Sequence, residues 1–308
     1  MKIKSLIFTL FVAMVLVACD VIPQEDRLED VQIKPSQRTV LLVEFTGNRC
    51  VNCPGAAMVA SEMLDIAPEN VVVVGMHPDG ITYTDPMVAN IDFRSKEAMD
   101  YLSFYGGSIS TGLPVGVVNG FNYAESNAKG EKEKKDYLLG SSVWTAKVFE
   151  QRDIAPKCLI ELSHVKEGDN HTVTAVLKPQ ESDTISVSLQ FWLVESGIVA
   201  PQSISSSLKS SYLEKYPDAD MGHSSVNNYV HNHVFRGTLN GLWGEELGKL
   251  ESVNCPNCGP VLPTKSCTFT VDSKYVVDNC SVVAVLINTE TKEVVQAAEI
   301  ALGENSKH

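Results

Sequence analysis

Val43-Glu44-Phe45-Thr46-Gly47-Asn48-Arg49-Cys50-Val51-Asn52-Cys53-Pro54 joins the end of an apolar run to two cysteines three positions apart. Val40, Leu41, Leu42, Val43 and Phe45 are apolar with Glu44 as the exception, which predicts a buried strand over Val40–Thr46. A Gly-containing turn follows, and the cysteines open a helical pattern over Cys53–Ile66 in which Ala56, Val59, Met63 and Leu64 mark one apolar face. A helix N-terminus carries partial positive charge and spare N–H groups, so a thiolate at Cys50 is favoured there. Cys53 lies within bonding reach, so a disulfide can form and break locally. Pro54 suits a first helical turn, where its missing N–H would be unpaired anyway.

Working outward, alternating patterns continue as a strand (Asn70–His77), a helix (Phe93–Tyr105), a strand (Pro114–Asn119), a short strand (Phe121–Ala124) and a helix (Lys135–Arg152). This alternation predicts an α/β sheet, with Asn119-Gly120 as a tight turn. From Lys157 the texture changes to short alternating stretches at Cys158–Ser163, His171–Leu177, Ile185–Leu193, Cys267–Val271, Val282–Ile287 and Glu293–Leu302. Asn288-Thr289-Glu290-Thr291-Lys292 reads as a hairpin loop before the last of these, and the spacing predicts a β-sandwich. The reading divides the chain into residues 1–19, 20–37 (a tether), a first domain 38–156, a second domain 157–302 with a long insertion at about 200–253, and a tail 303–308.

Residues 1–19 decide the compartment. Lys2 and Lys4 precede an apolar stretch from Leu6 to Val17, too short to span a bilayer but suited to a signal-peptide core. The stretch ends Leu16-Val17-Ala18-Cys19, which resembles a bacterial lipobox and implies lipidation at Cys19. The 308-residue chain carries a formal charge of −13, which loss of the leader makes more negative still. Nucleic acid as a partner is excluded on this balance, because its phosphates would be repelled.

In order, the strand carrying Glu44, the dithiol Cys50/Cys53 and the segment Gly112-Leu113-Pro114-Val115 resemble the thioredoxin superfamily. The resemblance implies a buried acid at Glu44 that relays a proton for Cys53, and a cis-proline loop at Pro114 that binds extended substrate backbone. Arg49 and Val51-Asn52 depart from that superfamily's usual Trp before the first cysteine and Gly-Pro between the pair. Arg49 is placed to assist a thiolate at Cys50. Glu44-Phe45-Thr46-Gly47, Cys50–Pro54, Phe191-Trp192-Leu193-Val194-Glu195, Val199-Ala200-Pro201-Gln202 and Tyr229-Val230-His231-Asn232-His233-Val234 together resemble the 28-kDa outer-membrane protein family. That resemblance implies a lipid-anchored outer-membrane protein, with an α/β thioredoxin-like N-terminal domain followed by an all-β immunoglobulin-like sandwich domain.

The function expected from these features is a thiol–disulfide oxidoreductase acting on protein or peptide thiols. Cys50 attacks, Cys53 resolves, Glu44 moves the proton and Pro114 orients the chain. It needs no soluble cofactor but requires a membrane redox partner to reset the pair. The alternative is a non-enzymatic surface lipoprotein (adhesin, receptor or assembly subunit) with an inert thioredoxin-like domain. Of the eight cysteines, Cys158, Cys255, Cys258, Cys267 and Cys280 remain after Cys19, Cys50 and Cys53. In an oxidising compartment structural disulfides are expected among them, with open connectivity. Cys255 and Cys258 have the spacing of a zinc knuckle, and His231 and His233 alternate as if on one strand face, so these four are the candidate metal ligands.

Overall fold

The computed structural model describes residues 38–126, 130, 132, 134–180, 185–249, 253–255, 259–261 and 263–303. The leader 1–19 with Cys19, the tether 20–37 and residues 304–308 lie outside the described residues. So do Cys258 and the side chain of Cys255.

β1 (Val40–Phe45) and β2 (Val71–Pro78) are buried along their whole length and pair in parallel, Val40 opposite Val71 and Phe45 opposite Met76. Between them runs α1 (Cys53–Ile66), with Pro54 in its first turn and Ala56, Ala60 and Met63 buried at helical spacing. β3 (Arg94–Ser95) pairs with β2 and leads into α2 (Lys96–Phe104), where the Ser95 hydroxyl caps the helix by accepting from the Ala98 N–H at 3.2 Å. β4 (Val115–Val118) pairs antiparallel to β1, and α3 (Trp144–Arg152) follows.

The remainder is mostly strand: β5 (Cys158–Glu167), β6 (Asn170–Pro179), β7 (Ser186–Glu195), β8 (Ile198–Val199), β9 (Gln202–Ser203), helix α4 (Lys209–Lys215), β10 (Ser225–Val226), β11 (Val230–His231) and β12 (Val234–Thr238). After these come β13 (Glu245–Lys249), β14 (Val253–Cys255), β15 (Gly259–Val261), β16 (Thr264–Thr270), β17 (Cys280–Asn288) and β18 (Val294–Ala301).

The principal sheet has the order β18-β17-β7-β12-β2-β1-β4, with β13 added on β7 and β3 on β2. It takes strands from both stretches that the sequence assigns to separate domains, and β12, from within the insertion, joins them. β12 runs parallel to β2 (Val234 opposite Gly75) and antiparallel to β7 (Val234 opposite Glu195). Ser36–His308 forms one compact unit. The architecture is mixed α/β, a large sheet with several small ones.

Strand alternation sorts β1 onto two cores. Val40 and Leu42 face α1 and α3, packing with Ala56, Met63, Trp144 and Val148. Leu41, Val43 and Phe45 face α2, whose Tyr101 and Leu102 also pack with Trp192, Val283 and Val285 of β7 and β17. A third core lies between β7-β17-β18 and the small sheet β16-β6-β5, built from Val173, Ala175, Leu177, Phe191, Ala284 and Leu286.

Three local expectations are corrected. Phe121–Ala124 is not a strand, because the Asn122 side chain accepts from the backbone N–H groups of Ala124 and Asp136 and competes with ladder formation. The final helix of the first half begins at Trp144 rather than Lys135. Leu139 instead exchanges two backbone hydrogen bonds of 2.8 Å with Gly116, and Gly140 precedes the helical turn. Asn119 and Gly120 do turn, both with positive φ (50° and 58°), but they lead to no paired strand; the turn packs against the β17–β18 loop through Val294 N–H to Asn119 C=O at 2.8 Å.

Candidate functional site

Cys50 and Cys53 form a disulfide, with Cα atoms 5.4 Å apart, where the chain leaves β1 and enters α1. The turn is built from backbone bonds, Cys50 N–H to Gly47 C=O at 3.0 Å and Gly55 N–H to Asn52 C=O at 3.1 Å. Gly47 is required by contact, since a Cβ there would stand 2.3 Å from the Tyr83 carbonyl oxygen. Arg49 is tied to the backbone at Asp85 and Pro86. Its guanidinium donates to the Asp85 and Pro86 carbonyls at 3.1 and 2.8 Å.

Both cysteines are buried, Cys50 at 3 % and Cys53 at 2 % exposure. The cover comes from the start of the insertion. The Gln202 side-chain amide donates to the carbonyls of Cys50 (3.0 Å) and Gly47 (3.2 Å). Ser203 N–H donates to Asn48 C=O and Ser205 N–H to Val51 C=O, each at 2.8 Å, and the Leu208 side chain packs 3.2 Å from where a Gly55 Cβ would be. Residues 202–208 therefore strap the dithiol turn. Nothing in the local sequence around Gln202 marks it for this role.

Pro114 stands just ahead of β4, whose Val115 pairs with Phe45, so it lies at the sheet end from which the dithiol turn leaves. The Leu113–Pro114 bond is cis. Glu44 is 5 % exposed, and its Oε1 has no hydrogen-bond partner. Burial disfavours the carboxylate and pushes its pKa up to about 8, against a smaller opposing hydrogen bond from Thr46.

Glu44 and Cys53 line one pocket of about 550 Å³, together with Gln202, Tyr229, His77 and His231. Burial lowers the pKa of His77 well below the usual imidazole value and that of His231 to about 4, so both rings are neutral at physiological pH. His231 and His233 do not share a strand face: β11 ends at His231, and His233 takes a positive φ of 56° that breaks the extended run. Among the described residues no three His, Cys, Asp or Glu side chains are grouped to hold a metal ion.

Cys158, Cys267 and Cys280 are buried free thiols, so none of these three takes part in the disulfides expected, with open connectivity, among the five remaining cysteines. Burial raises the pKa of each, to about 12 for Cys158 and Cys280, so they are inert apolar fillers at neutral pH.

Residues 103–306, more than half of the chain, match the family model described as outer membrane protein Omp28. The chain belongs to the Omp28 family. This places it among outer membrane proteins, and among the described residues no helix is long and apolar enough to cross a membrane. One similar solved structure is a domain of the outer membrane lipoprotein Omp28 from Porphyromonas gingivalis, 21 % identical, covering 49 % of this chain and 91 % of that one with a TM-score of 0.30. Another is a protein from Agrobacterium tumefaciens, 15 % identical, covering 86 % and 95 % with a TM-score of 0.43. No curated protein matches the chain.

Proposed function

We propose that this Omp28-family chain is an anchored binding lipoprotein in which Cys50–Cys53 is a structural staple, not a turnover site. The observation that carries this reading is the strap. Gln202, Ser203 and Ser205 donate to the carbonyls of Gly47, Asn48, Cys50 and Val51 in the dithiol turn, and both cysteines are buried. A protein thiol must bring its own sulfur in line with the disulfide, which requires an exposed sulfur. The strap also supplies a wall of the pocket through Gln202, so the staple, strap and pocket form one unit suited to holding a ligand. Anchoring in this reading is through Cys19 after removal of the leader.

The fold reading that accompanies it is a thioredoxin-like part followed by an immunoglobulin-like part. Support for the first comes from the order β1, dithiol, α1, β2 and the cis bond before β4. Support for the second comes from the small sheet β16-β6-β5 facing β7-β17-β18 across a shared core.

A second reading, the thiol–disulfide oxidoreductase, is favoured by one observation: a carboxyl with pKa raised to about 8 shares a pocket with Cys53. In that reading Cys50, Cys53, Glu44 and Pro114 keep the roles expected from sequence, and a membrane redox partner resets the pair. Insulin reduction by the wild type and by Cys50→Ser separates the two. The binding-protein reading expects equal background rates, and wild-type turnover above that of Cys50→Ser would reject it.

A further inference from the structure

The pocket behind the dithiol runs from an exposed rim, where Asp65, Asp218, Asn228 and Val230 lie, to a buried inner end holding Glu44, Cys53, His77 and His231. Its volume of about 550 Å³ is in the range that takes a small organic molecule. The inner end holds buried polar atoms without partners. His231 Nε2 has none, and a neutral imidazole keeps one lone-pair nitrogen that can accept from a ligand. His77 Nδ1 is likewise unpartnered. Glu44 Oε1 is the third buried polar atom there without a partner.

Two of the lining donors are already committed. The Gln202 amide is used on the carbonyls of Gly47, Cys50 and Ser203. Lys215, the cation on the lining, is 4.0 Å from Asp65. Acids stand at both depths, Asp65 and Asp218 at the rim and Glu44 inside. Between them are the rings of Tyr212, Tyr216 and Tyr229, with centroids 4.8 Å apart for Tyr212–Tyr216 and 5.7 Å for Tyr212–Tyr229. Aromatic faces attract cations and hold apolar bodies. An anion would meet the rim carboxylates Asp65 and Asp218, with Lys215, the cation of the lining, already beside Asp65. A neutral apolar molecule would leave the three buried polar atoms unsatisfied.

We propose that the pocket binds a small primary amine in its ammonium form, with the –NH3+ group against Glu44 and the unpartnered Nε2 of His231 and the carbon body between the tyrosines. A buried ammonium needs an ionised partner, so Glu44 gives its proton to solvent as the cation enters. The inference deepens the binding-protein reading by naming a ligand class, and its test is independent of the insulin assay.

The test titrates the full-length protein in detergent at neutral pH with benzylamine, benzyl alcohol and benzoate by isothermal calorimetry. Benzylamine is expected to bind about tenfold or more tighter than either analogue. Its heat should depend on the buffer's ionisation enthalpy, because a proton is released. Glu44→Gln should weaken benzylamine about tenfold, abolish the buffer dependence and leave benzyl alcohol unchanged. Circular dichroism checks that this variant is folded. Benzyl alcohol or benzoate binding as tightly as benzylamine would overturn the proposal, and so would a Glu44→Gln loss equal for amine and alcohol. A failure here with insulin rates still at background removes the amine and leaves the binding-protein reading standing.

Discussion

Gln202 donates its side-chain amide to the Cys50 carbonyl at 3.0 Å across a sequence separation of 152 residues. The same nitrogen also serves the carbonyls of Gly47 and Ser203, so one side chain ties the insertion to the dithiol turn. Gln202→Ala leaves these buried acceptors without their donor. The cost expected is about 1–3 kcal/mol in global stability. Denaturant unfolding of the variant against wild type measures it, and an unchanged midpoint would show that the strap is held without Gln202.

Glu44 gives stability a defined pH dependence. Its pKa is raised from 4.5 to about 8, so between those values the folded state keeps a proton that the unfolded chain has released. Rising pH therefore favours unfolding: the neutral carboxyl's contribution is whole below pH 4.5 and is lost as pH climbs through about 8. Over that window the loss is roughly 2–5 kcal/mol. Glu44→Gln cannot titrate, so its melting temperature should gain on wild type steadily from pH 5 towards pH 8. A constant difference between the two proteins would contradict the raised pKa.

Gly47 is held against backbone, not against a side chain that can swing away. A Cβ would stand 2.3 Å from the Tyr83 oxygen and 2.8 Å from its carbonyl carbon. The same Tyr83 carbonyl accepts from the Arg49 N–H at 2.9 Å, so moving it disturbs the dithiol turn as well. Gly47→Ala should cost about 1–3 kcal/mol by overpacking, read as a lowered midpoint of thermal or denaturant unfolding.

β7 and β12 are joined by a buried ion pair, Arg236 to Glu195 at 2.8 Å, with side chains 9 % and 4 % exposed. Glu195 also accepts from the Val276 N–H at 2.9 Å. Removing only the cation strands a buried carboxylate, so Arg236→Ala should destabilise by about 3–5 kcal/mol. The double variant Arg236→Met with Glu195→Gln should recover most of that loss. Failure to recover would assign the cost to the lost stacking of the guanidinium on Phe93 and Tyr275 instead.

β1 and α1 were legible in the sequence because local signals agree there: a run of buried apolar residues, a Gly turn, and a proline in the first helical turn. Glu44 stood out as the lone acid in that run. β12 was not legible. It offers only Val234 and Phe235 as an apolar signal before Arg236 and Gly237, whose φ of 140° marks a bulge. Its place between β2 and β7 is decided by long-range pairing that no local window contains. The strap is hidden for a similar reason, since Gln202 reads as a polar loop residue and its partner Cys50 is 152 positions away. His231 and His233 both line the pocket, but the positive φ of His233 takes it off the strand face, and His77 joins them from β2 in a way that no local spacing reveals.

A structural role for Cys50–Cys53 depends on the strap closing the dithiol. Its most direct measurement is the rate at which dithiothreitol reduces Cys50–Cys53 in native protein, followed by alkylation and mass spectrometry, compared with the rate in denaturing guanidinium. Reduction should be slower in the native protein by about a hundredfold or more, because it must wait for local opening. Comparable rates in the two conditions would mean the sulfurs are open to solvent thiols, and the staple reading would be wrong.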